Sequence, residues 1–388
     1  MLYLCSMKND MEKGKALRVA SIDAMRAVTM MLMLFVNDIP GLKGVPHGLF
    51  HAAADEDMLG FSDIVFPGFL FCVGMSVPFA IDNRLKKGNS PFGVLGHILW
   101  RSFALIVMGV FTLNLDSDIS CMSYLAFSLL MIAGFFLIWT DYAGTPLKGK
   151  GILIHSLKAL GSLILIGIIV WCHIHHEHFR TGWWGILGLI GWSYLVTSLV
   201  YLIGRQFKDW RIVTVALAII GGVIVFVPSG WSGHALCIAG LAAAMIMRHY
   251  RRKEAHLQLI SVFWAIGVVM LLAGIWAHQY WIISKIQGTP TWVFFCLALF
   301  FPFMTLLYWL MDVKDHTSWT WLIAPAGTAT LTCYLLPYVW YPVVGKLGLC
   351  LPPGWWYGAT GIIISLAYSL IIIQIARWMQ RIGLVVKL

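Results

Sequence analysis

Charged side chains are scarce in this chain. Asp, Glu, Lys and Arg together make up 11% of its 388 residues, whereas 60% of the residues are hydrophobic. Soluble proteins contain roughly 25% charged residues and about half apolar residues. A soluble domain of this length cannot bury so much apolar surface. The composition therefore excludes an ordinary soluble protein and predicts an integral membrane protein.

The chain also lacks closely paired cysteines. None of its eight cysteines forms a Cys-x-x-Cys pair, which excludes the common zinc and redox motifs. The histidine-rich segment 173–178 matches no zinc-binding spacing either. We therefore expect no metal site and no disulfide framework. The cysteines within or at the ends of apolar runs are predicted to act as small hydrophobic side chains: Cys72, Cys172, Cys237, Cys296 and Cys333.

A single basic patch is absent as well, although the net charge is +10. Lys and Arg fall in alternate connections between apolar runs, which is typical of membrane orientation and not of nucleic-acid binding. We therefore expect no nucleic-acid partner. The chain has no linker-like or low-complexity tract and no convincing internal repeat, so residues 1–388 are predicted to form one domain.

Long apolar runs recur from Ser21 onward, each close to the roughly 20 residues that span a hydrocarbon core. Their continuous apolarity excludes the alternating strands of a barrel, so the predicted fold class is an all-α, polytopic transmembrane helical bundle. We predict about twelve helices, with a range of about ten to twelve. The bundle covers 20–380 and follows a polar N-terminal segment, 1–19. The predicted helices are 20–38, 61–81, 97–115, 121–140, 151–172, 183–204, 211–228, 234–249, 257–282, 292–311, 320–344 and 357–379.

The positions of Lys and Arg predict the orientation of this bundle. Basic residues precede the first helix, follow the second, fourth, sixth and eighth, and close the chain. All these segments lie on one side if the helix count is even, and basic loops are cytoplasmic, so both termini are predicted to be cytoplasmic. His51 and the acidic run Asp55–Asp57 then face the opposite side. We expect the protein to reside in a bacterial inner (plasma) membrane, with membrane lipid as a partner.

Three polar residues near the predicted outer rim are candidates for chemistry. His51 can exchange a proton near neutral pH or attack an acyl carbonyl, but a lone loop histidine is usually only solvated. Asn37 ends the first helix, where it is either a terminal cap or a donor to a developing oxyanion. Asp63 opens the second helix, where it caps the helix, orients an imidazole or holds an amine.

Two arginines at the predicted cytoplasmic end have either a structural role at the membrane interface or a role in binding phosphate. Arg26 lies three residues after Asp23 and shares its helix face, so the two form either a neutralised interfacial pair or part of a phosphate site. Arg101 begins the third helix, where an arginine reaches towards lipid headgroups or binds the phosphates of an anionic cofactor.

Several sequence islands, taken in order, resemble the heparan-α-glucosaminide N-acetyltransferase family. The similarity covers the first 115 residues or so and, more loosely, the last hundred, so its motifs remain hypotheses. The islands are Ser21-Ile22-Asp23-Ala24-Met25-Arg26, Leu34-Phe35-Val36-Asn37, His51-Ala52, Ser62-Asp63-Ile64-Val65-Phe66-Pro67 with Gly74, Trp100-Arg101-Ser102-Phe103 with Gly109, Gly288-Thr289-Pro290 and Leu307-Tyr308-Trp309-Leu310-Met311-Asp312.

The resemblance implies a membrane acyltransferase that moves an acetyl group from acetyl-CoA to the amine of a glucosamine-type sugar or glycan. His51 matches the active-site histidine and would act as general base or transient acetyl carrier. Asn37 matches the asparagine that would steady the carbonyl oxygen. We add Asp63, which lies in one of the matching islands, to these two residues as a third catalytic candidate. Whether such a protein forms a homodimer stays open.

The resemblance also raises a problem of sidedness. Acetyl-CoA is cytoplasmic, whereas His51 is predicted to lie outside, so either the cofactor threads between the helices or the acetyl group crosses on the protein. In the first case Arg26, Arg84 and Arg101 would receive the CoA phosphates. The chain departs from the family after Gly327, where relatives carry an asparagine and this sequence has Thr328.

A different class of function remains open beside the enzyme. A bundle of this size also suits a transporter or flippase for a small polar or glycan-derived solute. Transporters carry ionisable residues or broken helices near the membrane centre. The predicted spans here are nearly free of charge at their centres, which favours chemistry at the rim.

Overall fold

Helices account for nearly all regular structure in the computed structural model. It describes residues 19–115, 121–176, 178–182, 185–207, 209–227, 230–349 and 352–388. The predicted segment 1–19 thus lies outside the described residues except for Val19. The helices are α1 (Ala20–Asp38), α2 (Phe61–Lys86), α3 (Pro91–Leu115), α4 (Tyr124–Trp139), α5 (Gly151–Ile174), α6 (Gly185–Gly204), α7 (Trp210–Val225), α8 (Ser232–Arg252), α9 (His256–Ala277), α10 (Pro290–Tyr308), α11 (Ala324–Thr328), α12 (Thr330–Leu335), α13 (Pro337–Lys346) and α14 (Gly358–Arg381).

The prediction of an all-helical membrane protein is confirmed. Within the described ranges, β-pairing is limited to two isolated bridges, Lys43 with Tyr357 and Thr140 with Val386. Eight helices found there are long and apolar enough to cross a membrane, namely α1, α2, α3, α5, α6, α9, α14 and α10 with its π-helical extension to Val313. The count of about twelve spans stays a prediction.

The predicted helix 320–344 is broken into three pieces, α11, α12 and α13. Pro325 and Pro337 stand in the first turns of α11 and α13. Proline lacks the N–H that would continue the preceding helix, so α11 and α13 begin near a proline, whereas α12 begins after Ala329. The break brings Gly327 against α1, where a Cβ atom on Gly327 would lie 2.8 Å from the carbonyl oxygen of Asp23.

Glycines bring α2 and α8 into backbone contact. A Cβ atom on Gly74 would lie 1.8 Å from the carbonyl oxygen of Cys237, and one on Gly240 would lie 2.0 Å from that of Phe71. Small residues at a crossing let helix backbones approach closely, which is how helices associate in lipid. The crossing fixes α2, the helix whose first turn carries the candidate residue Asp63.

One disulfide contradicts the cysteine prediction. Cys121, just before α4, is bonded to Cys172 near the end of α5, with their Cα atoms 5.3 Å apart. The two residues are 51 positions apart and belong to no local motif, so no sequence pattern indicates that they pair. Cys72, Cys237, Cys296 and Cys333 are free and buried, as expected of small hydrophobic side chains.

Candidate active site

His51 and Asp63 form a hydrogen-bonded pair. The Nδ1 atom of His51 lies 2.7 Å from Oδ1 of Asp63, and the backbone N–H of Ala52 donates to Oδ2 at 3.0 Å. The Asp63 side chain is 1% exposed, whereas that of His51 is 45% exposed. An ionised carboxylate can only accept, so Nδ1 of His51 donates its proton to Asp63, and in the neutral imidazole Nε2 is then the nitrogen with the lone pair. This geometry matches an aspartate that orients an imidazole.

Lys285 completes a cluster with this pair. It lies in the connection between α9 and α10, and its Nζ is 3.2 Å from His51 Nδ1 and 3.8 Å from Asp63 Oδ1. Burial lowers the pKa of Lys285 from its ordinary value, while the charge of Asp63 acts in the opposite direction. The sequence analysis did not identify Lys285 as a candidate. The signal that could have identified it is its position, because it is a lysine in a connection on the side opposite the basic loops.

Two connections are docked on each other around this cluster. We call 39–60 the histidine loop and 278–289 the lysine loop. Asp57 of the histidine loop pairs with His278 at 2.8 Å and accepts the backbone N–H of Ile283 at 2.8 Å. The carbonyl oxygen of Ala54 accepts from Ser284 at 2.9 Å and from Gln287 at 2.7 Å. The backbone of Ile283, followed by the side chain of His278, holds the pKa of Asp57 below its usual value.

Asn37 is not part of the hydrogen-bonded cluster around His51 in the described part of the chain. It occupies the last turn of α1 and is exposed. Among the hydrogen bonds between described residues, none joins Asn37 to His51. Its neighbour Asp38 accepts a hydrogen bond from Tyr341 at 2.6 Å. The predicted role of Asn37 at an oxyanion therefore stays a prediction.

A cavity of about 990 Å³ opens at the other end of the bundle, where α1 and α9 begin and α2 and α8 end. Val19 and Leu388 both line it, so the start of α1 and the C-terminus share this end. Its basic lining residues are Arg26, Lys86, Arg101, Arg248, Arg251, Arg252 and Lys387, and its acidic ones are Asp23, Asp82 and Glu254. Its apolar part is lined by Met30, Met33, Phe69, Val73, Leu187 and Ile190. The cavity thus combines a strongly cationic mouth with an apolar interior.

The predicted arginines differ in their relation to this cavity. Arg26 lines it and contacts Asp23 at 3.3 Å, Gly327 at 3.2 Å and the hydroxyl of Ser76 at 2.6 Å. Arg101 also lines it, with its guanidinium 4.8 Å above the ring of Tyr194. Arg84 is not among its lining residues.

Three basic residues of the mouth come from the end of α8. Sequence reasoning used Arg248, Arg251 and Arg252 only to assign orientation. Arg248 pairs with Asp82 at 2.7 Å and Arg251 with Asp312 at 3.4 Å. The three arginines are close together in the sequence, so their positive charge could be recognised there. The helix packing that directs them towards α1 and α2 could not be predicted from the sequence.

The apolar end of the cavity approaches the level of the candidate residues. Met33 precedes Asn37 on α1 by about 6 Å of helix rise, and Phe69 follows Asp63 on α2 by about 9 Å. From Val19 to Met33 the cavity follows α1 for about 21 Å. His51 itself does not line the cavity. Within the described part of the chain, no cluster of three or more His, Cys, Asp or Glu side chains is arranged to hold a metal ion.

Comparison with known sequences gives one family match. The profile described as "Domain of unknown function (DUF5009)" matches residues 18–225, which is more than half of the chain. The matched range contains His51, Asp63, Arg26 and Arg101, but it ends before Lys285.

Curated relatives match over a shorter stretch. The chain is 36% identical to human (Homo sapiens) heparan-alpha-glucosaminide N-acetyltransferase over 97 residues, which is 25% of this chain and 14% of the human protein. It is 33% identical to the mouse (Mus musculus) protein of the same name over 102 residues, or 26% of this chain and 15% of that protein. The predicted resemblance is confirmed, and it spans only a small part of the relatives' length.

Proposed function

The chain belongs to the DUF5009 family, and on that premise we propose that it is a membrane acyltransferase. The proposed reaction moves an acetyl group from acetyl-CoA to the amine of a glucosamine-type sugar or glycan on the extracytoplasmic side. The observation that carries the proposal is the buried Asp63 carboxylate, which holds His51 so that Nε2 is open. The names of the human and mouse relatives supply the class of group and acceptor.

In the proposed reaction His51 serves the acceptor amine as general base. The amine nitrogen attacks the thioester carbonyl carbon while Nε2 of His51 takes the amine proton. The carbon–sulfur bond then breaks, and the CoA thiolate receives that proton. Asp63 stabilises the imidazolium that forms in between, and Asn37 would donate to the carbonyl oxygen as negative charge develops there. In the alternative sequence of steps, His51 is acetylated first and passes the group to the amine.

The shape and charge of the cavity support the proposal that acetyl-CoA binds there. CoA carries its phosphates at one end and its thioester at the other, and the cavity has the same polarity. Arg26 and Arg101, with Lys86 and the three arginines of α8, would bind the phosphates. The apolar interior would hold the thin pantetheine arm. A cavity that follows α1 for about 21 Å favours threading of the cofactor over a crossing of the acetyl group on the protein.

Two observations support the proposed orientation. The cationic cavity, the start of α1 and the C-terminus share one end, as the basic loops predict for the cytoplasmic side. The disulfide between Cys121 and Cys172 belongs, by the alternation of successive helices, to the end that carries His51. Disulfides persist in oxidising compartments such as the bacterial periplasm. We therefore propose that His51 faces the periplasm of a bacterial inner membrane.

The test uses the purified full-length protein in lipid nanodiscs with labelled acetyl-CoA and glucosamine. We expect the parent protein to form acetylated product and His51→Ala to lose about 10² to 10⁴ in kcat/KM. His47→Ala is the matched control, since His47 is a second histidine of the histidine loop that pairs with Glu56 and should leave the rate unchanged.

Two outcomes would reject the proposal. Equal rates for the parent and His51→Ala would remove His51 from the mechanism. Absence of product from the parent protein, together with saturable solute uptake into vesicles that contain it, would favour a transporter.

A further inference from the structure

Lys285 has no part in the proposed reaction, although its ammonium group touches the candidate pair. Its Nζ is 3.2 Å from His51 Nδ1 and 3.8 Å from Asp63 Oδ1. The Lys285 side chain is 24% exposed, so the charge is only partly solvated. A cation in this position changes the electrostatics of the pair, because it faces a carboxylate and an imidazole at once.

The chain holds Lys285 in place with contacts on both sides. Ser284, the preceding residue, donates its hydroxyl to the carbonyl oxygen of Ala54 and its backbone N–H to the hydroxyl oxygen of Thr289. Gln287 binds the same carbonyl oxygen. Gly288 has a φ of +64°, and a Cβ atom there would lie 2.8 Å from the hydroxyl of Ser232. The turn that carries Lys285 is therefore fitted closely to the histidine loop and to α8.

The protonation pattern of the pair defines what the ammonium does. Because Nδ1 donates its proton to Asp63, it has no lone pair for Lys285, so the ammonium acts on the carboxylate by charge. A carboxylate next to an imidazole favours the imidazolium, which cannot act as a base. A cation close to the imidazole, such as Lys285 Nζ at 3.2 Å from Nδ1, disfavours the imidazolium. Asp63 orients the His51 ring with or without Lys285. The negative charge of Asp63 is balanced only when the Lys285 ammonium is present.

The other titratable groups around the cluster contact partners of their own. Glu56 is hydrogen-bonded to His47 and Asp57 to His278. The Cys296 thiol on α10 is free and buried, and an ordinary thiol is neutral near pH 7. Among the described residues, the charged side chains in direct contact with the His51 ring are Asp63 and Lys285.

We propose that Lys285 is a positioning residue whose ammonium balances the Asp63 carboxylate and so keeps His51 as the neutral imidazole, protonated on Nδ1 and open at Nε2. The inference rests on the proposed function only in that a general base must be unprotonated to act. The arrangement is an acid–imidazole–ammonium triad built from three separate segments, namely α2, the histidine loop and the lysine loop.

The test measures the protonation of His51 directly, without relying on catalysis. Exchange of the imidazole C2 hydrogen, followed by mass spectrometry on the full-length protein in nanodiscs, gives a midpoint pH for each histidine. We expect Lys285→Met to move the His51 midpoint upward by about 1 to 2 pH units, the size typical of one neighbouring charge. Lys285→Arg keeps the charge and should restore the parent midpoint. Lys43→Met removes an exposed lysine of the histidine loop and should change nothing.

A folded Lys285→Met protein with the parent midpoint would overturn the proposal, and so would a downward shift. Lys285→Gln provides a second neutral variant if the methionine variant does not fold. Acetyl transfer is followed in parallel, and its acidic limb should move with the exchange midpoint. A midpoint that moves in a protein without transferase activity would reject the proposed function and retain the triad. Normal transfer with an unmoved midpoint would reject the triad alone.

Discussion

Arg84 lies in the last turn of α2, whereas Arg101 lies well inside α3 and not at its start as predicted; of the two, only Arg101 lines the cationic cavity. A conservative pair of substitutions tests whether that cavity receives the CoA phosphates. Arg101→Gln should raise KM for acetyl-CoA about 10- to 100-fold, the equivalent of one hydrogen bond to a charged group, with little change in kcat. Arg84→Gln is the matched control and should leave KM unchanged. Equal effects of the two substitutions in steady-state kinetics would contradict a CoA site in this cavity.

Individual residues show how far sequence reasoning reaches. The contact of Asp23 with Arg26 was predictable from helix spacing. The contact of His51 with Asp63 corresponds to one of the alternatives given for Asp63, an aspartate that orients an imidazole. Lys285 was not predictable, since its contact with His51 joins positions 234 residues apart. No local pattern reports such a contact; it depends on how the lysine loop docks after the helices have packed.

At the scale of structural elements, the histidine loop and the lysine loop are docked on each other. We expect low pH to separate these two loops. Asp57 has a lowered pKa in the folded protein, so its contribution to docking is present above the unfolded pKa of roughly 3.9 and is lost as pH falls through the lower, folded pKa. Below about pH 4 we expect the amides of the lysine loop, Ile283 above all, to lose protection. Hydrogen–deuterium exchange corrected for intrinsic rates measures this change.

Two variants give this prediction its control. Asp57→Asn removes the titrating group and should expose the lysine loop at every pH. Asp55→Asn changes an exposed neighbour and should keep the parent pH dependence. Identical acid sensitivity in Asp57→Asn and the parent would show that another group controls docking.

Helix positions were more predictable than helix ends or breaks. Each predicted run overlaps a helix, because continuous apolarity is a long-range signal that local detail does not mask. The break of 320–344 into α11, α12 and α13 was missed. Pro325 and Pro337 are visible in the sequence, but prolines are tolerated inside membrane helices, as Pro67 and Pro78 are inside α2. Only packing against α1 decides between a kink and a break.

Orientation is a property of the whole molecule and can be tested directly. In a background with Cys5 and Cys350 replaced by serine, a membrane-impermeant maleimide should label Asp55→Cys in intact cells. Lys148→Cys, in the connection between α4 and α5, should be labelled only after permeabilisation. These results follow from the positive-inside rule. Labelling of Lys148→Cys in intact cells, with Asp55→Cys protected, would invert the bundle and place His51 in the cytoplasm.

The contact of α2 with α8 at Gly74 and Gly240 has a mechanical consequence. Main chain meets main chain there, with no room for even a methyl group, so we expect sliding or rolling of α2 against α8 to be restricted. The helix that carries Asp63 is thereby tied to the helix whose end carries Arg248, Arg251 and Arg252. In the proposed reaction, we expect the connecting segments at the outer rim to move more than α2 does when an acceptor enters.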